Sequence, residues 1–212
     1  MIPFPLVLSS PSGGGKSTIA RELLQGRHDL GYSVSATTRK RRPNEVDGND
    51  YFFLSKEEFG KRREQAEFIE WATYADEHYG TLKSEMVRLF REGRHAVLDI
   101  EIEGARQLKA HYPDAVTIFV LPPSGIQLVE RLRGRNTETV AVVRKRLERA
   151  AVELKAAMDY DYVVVNDSIQ DAVGQVAAII EAECRRVKRQ DDLSAVVEAL
   201  RTEVLAEAQR VG

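Results

Sequence analysis

Ser10-Pro11-Ser12-Gly13-Gly14-Gly15-Lys16-Ser17-Thr18, directly behind the apolar run Pro5-Leu6-Val7-Leu8, is the stretch from which the fold is read. An apolar run this short, closed by turn residues, predicts a buried strand, and Ile19, Leu23 and Leu24 then follow at helical spacing. Strand, glycine-rich turn and helix together make a phosphate-binding loop. Gly13, Gly14 and Gly15 let successive N–H groups close around phosphate oxygens. Lys16 sets a point charge on the β- and γ-phosphates, Ser17 offers a hydroxyl to Mg²⁺, and the positive end of the new helix faces the same anion. Ser10 to Thr18 are therefore candidate ligands of one nucleoside triphosphate. The usual motif opens with Gly where this chain has Ser10, a position that only has to turn the chain off the strand. The competing reading, a flexible Gly/Ser turn that happens to precede a lysine, leaves the flanking pattern without a cause.

The chain has 212 residues, 43% of them hydrophobic and 30% charged, enough for one α/β unit with a small inserted lobe. Lys plus Arg number 31 against 33 Asp plus Glu, and the net charge of -2 supplies no electrostatic reason to bind nucleic acid or a membrane. Small-molecule partners are expected. A single cysteine, Cys184, excludes an intrachain disulfide and reads as a packed, inert thiol in a reducing compartment. No stretch approaches the roughly 20 apolar residues of a membrane span. The N-terminus has no basic start, and cleavage behind its apolar run would remove the first strand, so the expectation is no signal peptide and a cytoplasmic location.

Further on, Tyr32-Ser33-Val34-Ser35-Ala36 predicts a strand, followed by a basic loop that includes Arg39-Lys40-Arg41-Arg42. Four consecutive cations either stay solvated or collect an anion, since they cannot all find carboxylates locally. Tyr51-Phe52-Phe53 and Phe68-Ile69-Glu70-Trp71-Ala72 flank a charged helix over residues 55–66, which predicts a small mixed α/β lobe rich in core aromatics. Glu70 interrupts an apolar strand; it either needs a strong donor or faces solvent. Helices and apolar strands then alternate through Ala96–Glu101, Val116–Leu121 and Tyr162–Asp167, predicting a parallel sheet with helices on both faces. Leu193, Val196, Val197, Leu200, Val204, Leu205 and Ala208 keep helical spacing, an amphipathic tail expected to dock on its own domain or on a second subunit.

S-P-S-G-G-G-K-S-T, S-V-S-A-T-T-R-K-R-R-P, E-V-D-G-N-D-Y-F-F, F-I-E-W-A, Y-G-T, L-D-I-E, R-L-R-G-R and V-V-V-N-D, taken in order from Phe4 to Arg186, resemble the guanylate kinase family. The resemblance implies an α/β P-loop NTPase with a core over residues 1–32, 95–125 and 157–186, a GMP-binding lobe over 33–94, a helical lid over 126–156 and an extension over 187–212. It implies transfer of the γ-phosphoryl group of ATP to GMP with Mg²⁺; the sequence leaves monomer and homodimer both open. Ser35, Glu70 and Thr81 are the implied readers of guanine. A carboxylate at Glu70 can accept N1–H and N2–H together, a donor pair that adenine lacks. Arg39, Arg42, Tyr51 and Tyr79 are implied holders of the GMP phosphate, and Asp99 lies between the two nucleotides. Arg131, Arg135 and Arg146 are implied lid arginines that close over the phosphates, and Asn166 is assigned to the adenine ring. The implied catalytic set is Lys16, Arg42, Asp99, Arg135 and Arg146; Asn136 stands where relatives usually have Gly. Two other readings are a non-catalytic binding module of the same fold, opposed by the intact Lys16 and Ser17, and a kinase for another small phosphorylated acceptor, opposed by Glu70 with Ser35 and Thr81.

Overall fold

The computed structural model describes residues 1–74, 76–133 and 140–211. β1 (Pro5–Ser9) is buried at every position and leads through the glycine turn into α1 (Lys16–Gly26). β2 (Leu30–Tyr32) is followed by β3 (Ser35–Thr37), β4 (Phe52–Phe53), α2 (Lys56–Glu64), β5 (Phe68–Tyr74), β6 (Glu77–Leu82) and α3 (Lys83–Arg91). β7 (His95–Asp99), α4 (Ile102–His111), β8 (Val116–Leu121), α5 (Gly125–Arg133), α6 (Val140–Leu154), β9 (Tyr162–Val165), α7 (Ile169–Cys184) and α8 (Leu193–Val211) complete the order.

Among the described residues one sheet is parallel, in the order β2-β7-β1-β8-β9, and a second has the order β4-β3-β6-β5. β1 sits at the centre of the first, with Leu6 opposite Val97 on one side and Val116 on the other. Alternation splits its apolar side chains between two cores. Leu6 and Leu8 pack with Ile19 and Leu23 of α1 and Val176 and Ile180 of α7, whereas Val7 packs with Met86, Leu89, Leu98 and Leu108 on the other face. Each such fully buried aliphatic contributes about 1.5–3 kcal/mol relative to exposure, which makes the ends of β1 and β7 a firm mount for whatever they carry.

The structure corrects three expectations. Tyr32–Ala36 is not one strand: β2 ends at Tyr32 in the parallel sheet, Ser33 N donates to Val97 O at 3.0 Å, and β3 begins at Ser35 in the second sheet. The apolar-polar pattern runs on through this crossing, so the pattern alone does not reveal it. The lobe expected over 33–94 takes in α3, whose Met86 and Leu89 instead pack against the parallel sheet. The tail does form a helix, α8, and of its two expected docking sites the chain's own domain is the one corrected: none of its residues is buried against the body, and Val197, Leu200 and Leu205 remain half exposed. Cys184 is buried beside His95, and burial pushes its thiol pKa up. Among the described residues no helix is long and apolar enough to cross a membrane.

Candidate active site

The turn after β1 is a concave run of backbone. Gly13 and Gly15 have φ of +83° and +94°, left-handed values that a side chain would strain. Gly14 is required for space: a Cβ there would lie 2.5 Å from Cβ of Ser10, which is tucked beneath the loop. Ser10 therefore fills the floor of the loop as well as turning the chain. No side chain caps α1, so its first N–H groups and its positive end face the hollow.

Lys16 reaches across to the end of β7, with Nζ 3.4 Å from Asp99 Oδ1 and 3.2 Å from Glu101 Oε1. Burial alone lowers the pKa of this ammonium, but the charges of Asp99 and Glu101 outweigh burial and raise it, so Lys16 stays charged. Asp99 Oδ1 is buried and makes no hydrogen bond; its tie to Lys16 is an ion pair only. Ser17 lines the same cavity. A hydroxyl and an orphaned carboxylate oxygen are hard donors that suit Mg²⁺, an ion usually held through one or two protein oxygens and substrate phosphates. Among the described residues no group of three His, Cys, Asp or Glu forms a metal cluster of its own.

The cavity, about 350 Å³, runs from Lys16 and Ser17 into the second sheet, where Ser35, Arg42, Tyr51, Glu70 and Tyr79 line it together with Asp99. Thr81 and Ser35 are directly opposite on β6 and β3, and Glu70 is opposite Thr81 on β5. The register of β5 shifts between Phe68 and Glu70, a bulge of the kind that re-aims a side chain. Glu70 is 4% exposed, and its Oε1 accepts from Thr81 Oγ1 at 2.6 Å. The solvent-facing alternative is thereby removed. Burial raises its pKa to about 7, against the hydrogen bonds from Thr81 that lower it.

The basic loop differs from expectation. Glu45, which the sequence reading passed over, takes Arg39 through both oxygens, at 2.7 and 3.1 Å, and accepts Arg42 N at 2.8 Å. Arg39 also lies over the rings of Tyr51 and Phe53, and is not on the cavity wall. The count of cations within four consecutive residues missed a carboxylate six positions beyond the first of them. Arg42 keeps a 70% exposed side chain at the mouth of the cavity, only 4.0 Å from Glu45 at its nearest. Burial pushes the Tyr51 phenol upward, so it remains a neutral donor.

On the triphosphate side, Arg131 donates to Asn166 O at 3.2 Å, and Arg146 approaches Ser12 Oγ at 3.5 Å and Leu132 O at 3.4 Å, so both lie at the rim of the loop. Arg135 and Asn136 lie outside the described residues. Asn166, assigned to the adenine ring, is 2% exposed, donates to Gly14 O at 2.9 Å and packs against Gly15. Its amide nitrogen braces the phosphate loop, while Oδ1 is buried without a hydrogen-bond partner. Glu153 of α6 was not singled out either: Oε2 accepts Ser12 N at 3.1 Å and Oε1 accepts Arg149 Nε at 2.6 Å. Arg149 in turn lies 4.5 Å over the ring of Tyr74 at the tip of β5. The Arg149 and Glu153 spacing of four is visible in the sequence, but its contacts with Ser12 and Tyr74 are not.

Comparison with known proteins agrees with this geometry. A family model described as guanylate kinase matches residues 3–183. A guanylate kinase of Desulfitobacterium hafniense is 47% identical over 87% of this chain and 92% of its own length. One from Thermotoga maritima is 45% identical over 88% and 90%. Among solved structures, guanylate kinase from Anaplasma phagocytophilum superimposes with a TM-score of 0.77 at 33% identity, covering 93% of this chain and 95% of that one. With the phosphate loop, the acid at the end of β7 and the buried carboxylate of the second sheet all in one cavity, the chain belongs to the guanylate kinase family.

Proposed function

We propose that this protein transfers the γ-phosphoryl group of ATP to GMP, giving ADP and GDP, in the cytoplasm. The observation that carries the reading is the single cavity that joins Lys16 to Glu70. One end supplies backbone donors, a helix terminus and a fixed cation for a triphosphate. The other supplies a buried carboxylate that accepts two adjacent N–H groups, the pattern guanine presents and adenine does not. A site of this kind discriminates strongly, by roughly 10⁴-fold or more, because the wrong base leaves the buried acceptor unpaired.

An oxygen of the GMP phosphate attacks the γ-phosphorus in line, the bond to the bridging oxygen of ADP breaks, and the electron pair leaves with ADP. The acceptor oxygen is already ionised near neutral pH, so no general base is required. The four histidines agree: His28 and His111 are exposed, His78 bonds Thr73 Oγ1 at 3.0 Å, and His95 is in the core. Ser17 and Asp99 are the residues that would hold Mg²⁺, which would offset charge on the phosphoryl oxygens. Lys16, Arg42, Arg131 and Arg146 bring two mutually repelling anions together and hold them in line. Arg135 belongs to the same proposed set by resemblance.

The test is a coupled assay of ADP formation with Mg²⁺·ATP and, separately, GMP, AMP, CMP and UMP, on the wild type and on Lys16→Ala. Turnover with GMP alone, lost in the variant, is the expected result. GMP binding without turnover would place the chain among non-catalytic binding modules, and turnover with a different monophosphate would reassign the acceptor.

A further inference from the structure

We propose that Gly104, in the first turn of α4, is a specificity-determining position for the acceptor base, acting through the carboxylate of Glu70. The inference rests on the reading that Glu70 accepts from guanine. Gly104 is buried, lies inside a helix and has no positive φ. Its backbone gives no reason for glycine, which is the poorest helix former after proline. The reason is spatial: a Cβ at position 104 would stand 2.5 Å from Glu70 Oε2, 3.0 Å from Cδ and 3.6 Å from Oε1. The empty place on α4 is filled by the carboxylate.

Two further contacts decide what a side chain there would do. Gln107, one turn along α4, accepts Trp71 N at 3.2 Å and donates to Trp71 O at 3.2 Å. The residue after Glu70 is thus clamped to α4 through both backbone groups, and β5 cannot back away. Thr81 holds the other oxygen, Oε1, at 2.6 Å. A methyl at 104 therefore leaves the fold standing and moves the one part free to yield, the Glu70 carboxylate. Yielding either breaks the bond to Thr81 or turns the accepting edge away from the base. Gly104 and Gln107 are positioning residues in this account, and of these three residues only Glu70 contacts guanine.

The experiment compares wild type, Gly104→Ala, Glu70→Asp and the double variant, measuring steady-state constants for GMP and ATP with the melting temperature of each. Gly104→Ala is expected to raise KM for GMP about 10- to 100-fold, the scale of a misplacement near 1 Å. The ATP KM stays within about twofold, kcat at saturating GMP is largely kept, and the melting temperature holds or rises, because alanine favours the helix. A purely structural role would lower stability instead. In the Glu70→Asp background, where the shorter carboxylate ends clear of the new methyl, adding Gly104→Ala costs less than about threefold, a non-additivity expected only of touching residues. An unchanged GMP KM in Gly104→Ala, or the same cost in both backgrounds, overturns the proposal. Should Gly104→Ala fail to fold, rescue of folding by Glu70→Asp upholds the clash and absence of rescue overturns it. Wild type that does not phosphorylate GMP at all is a separate result, which overturns the functional reading and this inference with it.

Discussion

The two ends of the cavity are built by opposite means. The triphosphate end comes from nine consecutive residues, Ser10 to Thr18, mounted on a strand buried at every position. Its donors are mostly backbone, and its shape is set by torsion angles that only glycine adopts freely. The acceptor end draws Ser35, Glu70 and Thr81 from three strands and Gly104 from a helix, and its own core is small: Ala36, Phe59, Phe68 and Leu82 with a few flanking side chains. Backbone amides around phosphate give affinity for charge with little discrimination. A lone buried carboxylate gives discrimination, and it depends on supports that lie far apart in the chain.

Lys16→Ala breaks the first end and is expected to have the largest effect, a loss of about 10³-fold or more in kcat/KM, because charge developing on the transferring group loses its fixed cation. GMP binding measured by calorimetry should survive, and loss of both affinities together would mean that the ends are not separable. Glu70→Gln breaks the second end. It swaps one acceptor for a donor aimed at a donor, which should raise KM for GMP about 100-fold while leaving ATP binding within about twofold. Equal losses for both nucleotides would remove Glu70 from its role.

The pH dependence sharpens the comparison next. Burial raises the Glu70 pKa from 4.5 to about 7 in the free protein. Guanine binds the ionised form, so GMP affinity should climb by about tenfold per pH unit up to neutrality and level off above it, beyond any slope from the GMP phosphate itself. Glu70→Gln keeps the phosphate slope and loses the rest. Stability runs the other way. A carboxyl whose folded pKa is raised binds more protons folded than unfolded between pH 4.5 and about 7, so its contribution falls as pH rises through that window, by at most about 3 kcal/mol. Urea titrations at pH 5 and pH 8 should show this difference in the wild type and a smaller one in Glu70→Gln.

The same contrast explains what was legible in the sequence. The phosphate loop is local, and glycine, lysine and serine at fixed offsets carry their own mechanism, so Gly13, Gly15 and Lys16 were readable outright. Glu70 was conspicuous as a charge in an apolar strand, but its burial depends on the bulge before it and on Thr81 across the sheet. Gly104 and Gln107 gave no signal, because a glycine with ordinary torsions and a glutamine on a helix acquire meaning only from the neighbour that tertiary structure brings. Arg39 was legible as a charge, but its partner Glu45, to which the guanidinium is turned, was overlooked. Asn166 was assigned to the adenine ring by resemblance alone, and the contact it makes, its amide nitrogen on Gly14 O, is not visible in the sequence.

A bridge between the ends gives a smaller effect. Arg149 stacks on Tyr74 of β5, bonds Glu153 and lies 3.9 Å from Glu101, while Glu153 holds Ser12 of the phosphate loop. Tyr74 and Arg149 are both partly exposed, so their coupling in a double-mutant cycle of Tyr74→Leu and Arg149→Met should be about 0.5–1 kcal/mol in stability. Both KM values should rise together by a few-fold, in contrast to the one-sided effects above. An effect confined to one nucleotide would show that Arg149 serves a single end.

The smallest effect tests whether anything outside the two ends matters. Just before α8 the chain is tied to its N-terminus, where Ile2 N bonds Arg189 O at 3.0 Å and the N-terminal ammonium pairs with Asp191 at 2.7 Å. No residue of α8 is buried, and its two arginines pair within the helix, Arg201 with Glu198 and Arg210 with Glu207. Among the described residues, deletion from Leu193 onward therefore removes no buried side chain from either core and none from the cavity. The truncated protein should keep kcat/KM for both nucleotides within about twofold and its melting temperature within a few degrees, as for surface changes away from buried features. A drop in GMP affinity alone would tie α8 to the lobe, a drop in stability alone to the parallel sheet, and either would show that the cavity is supported by more of the chain than its two ends.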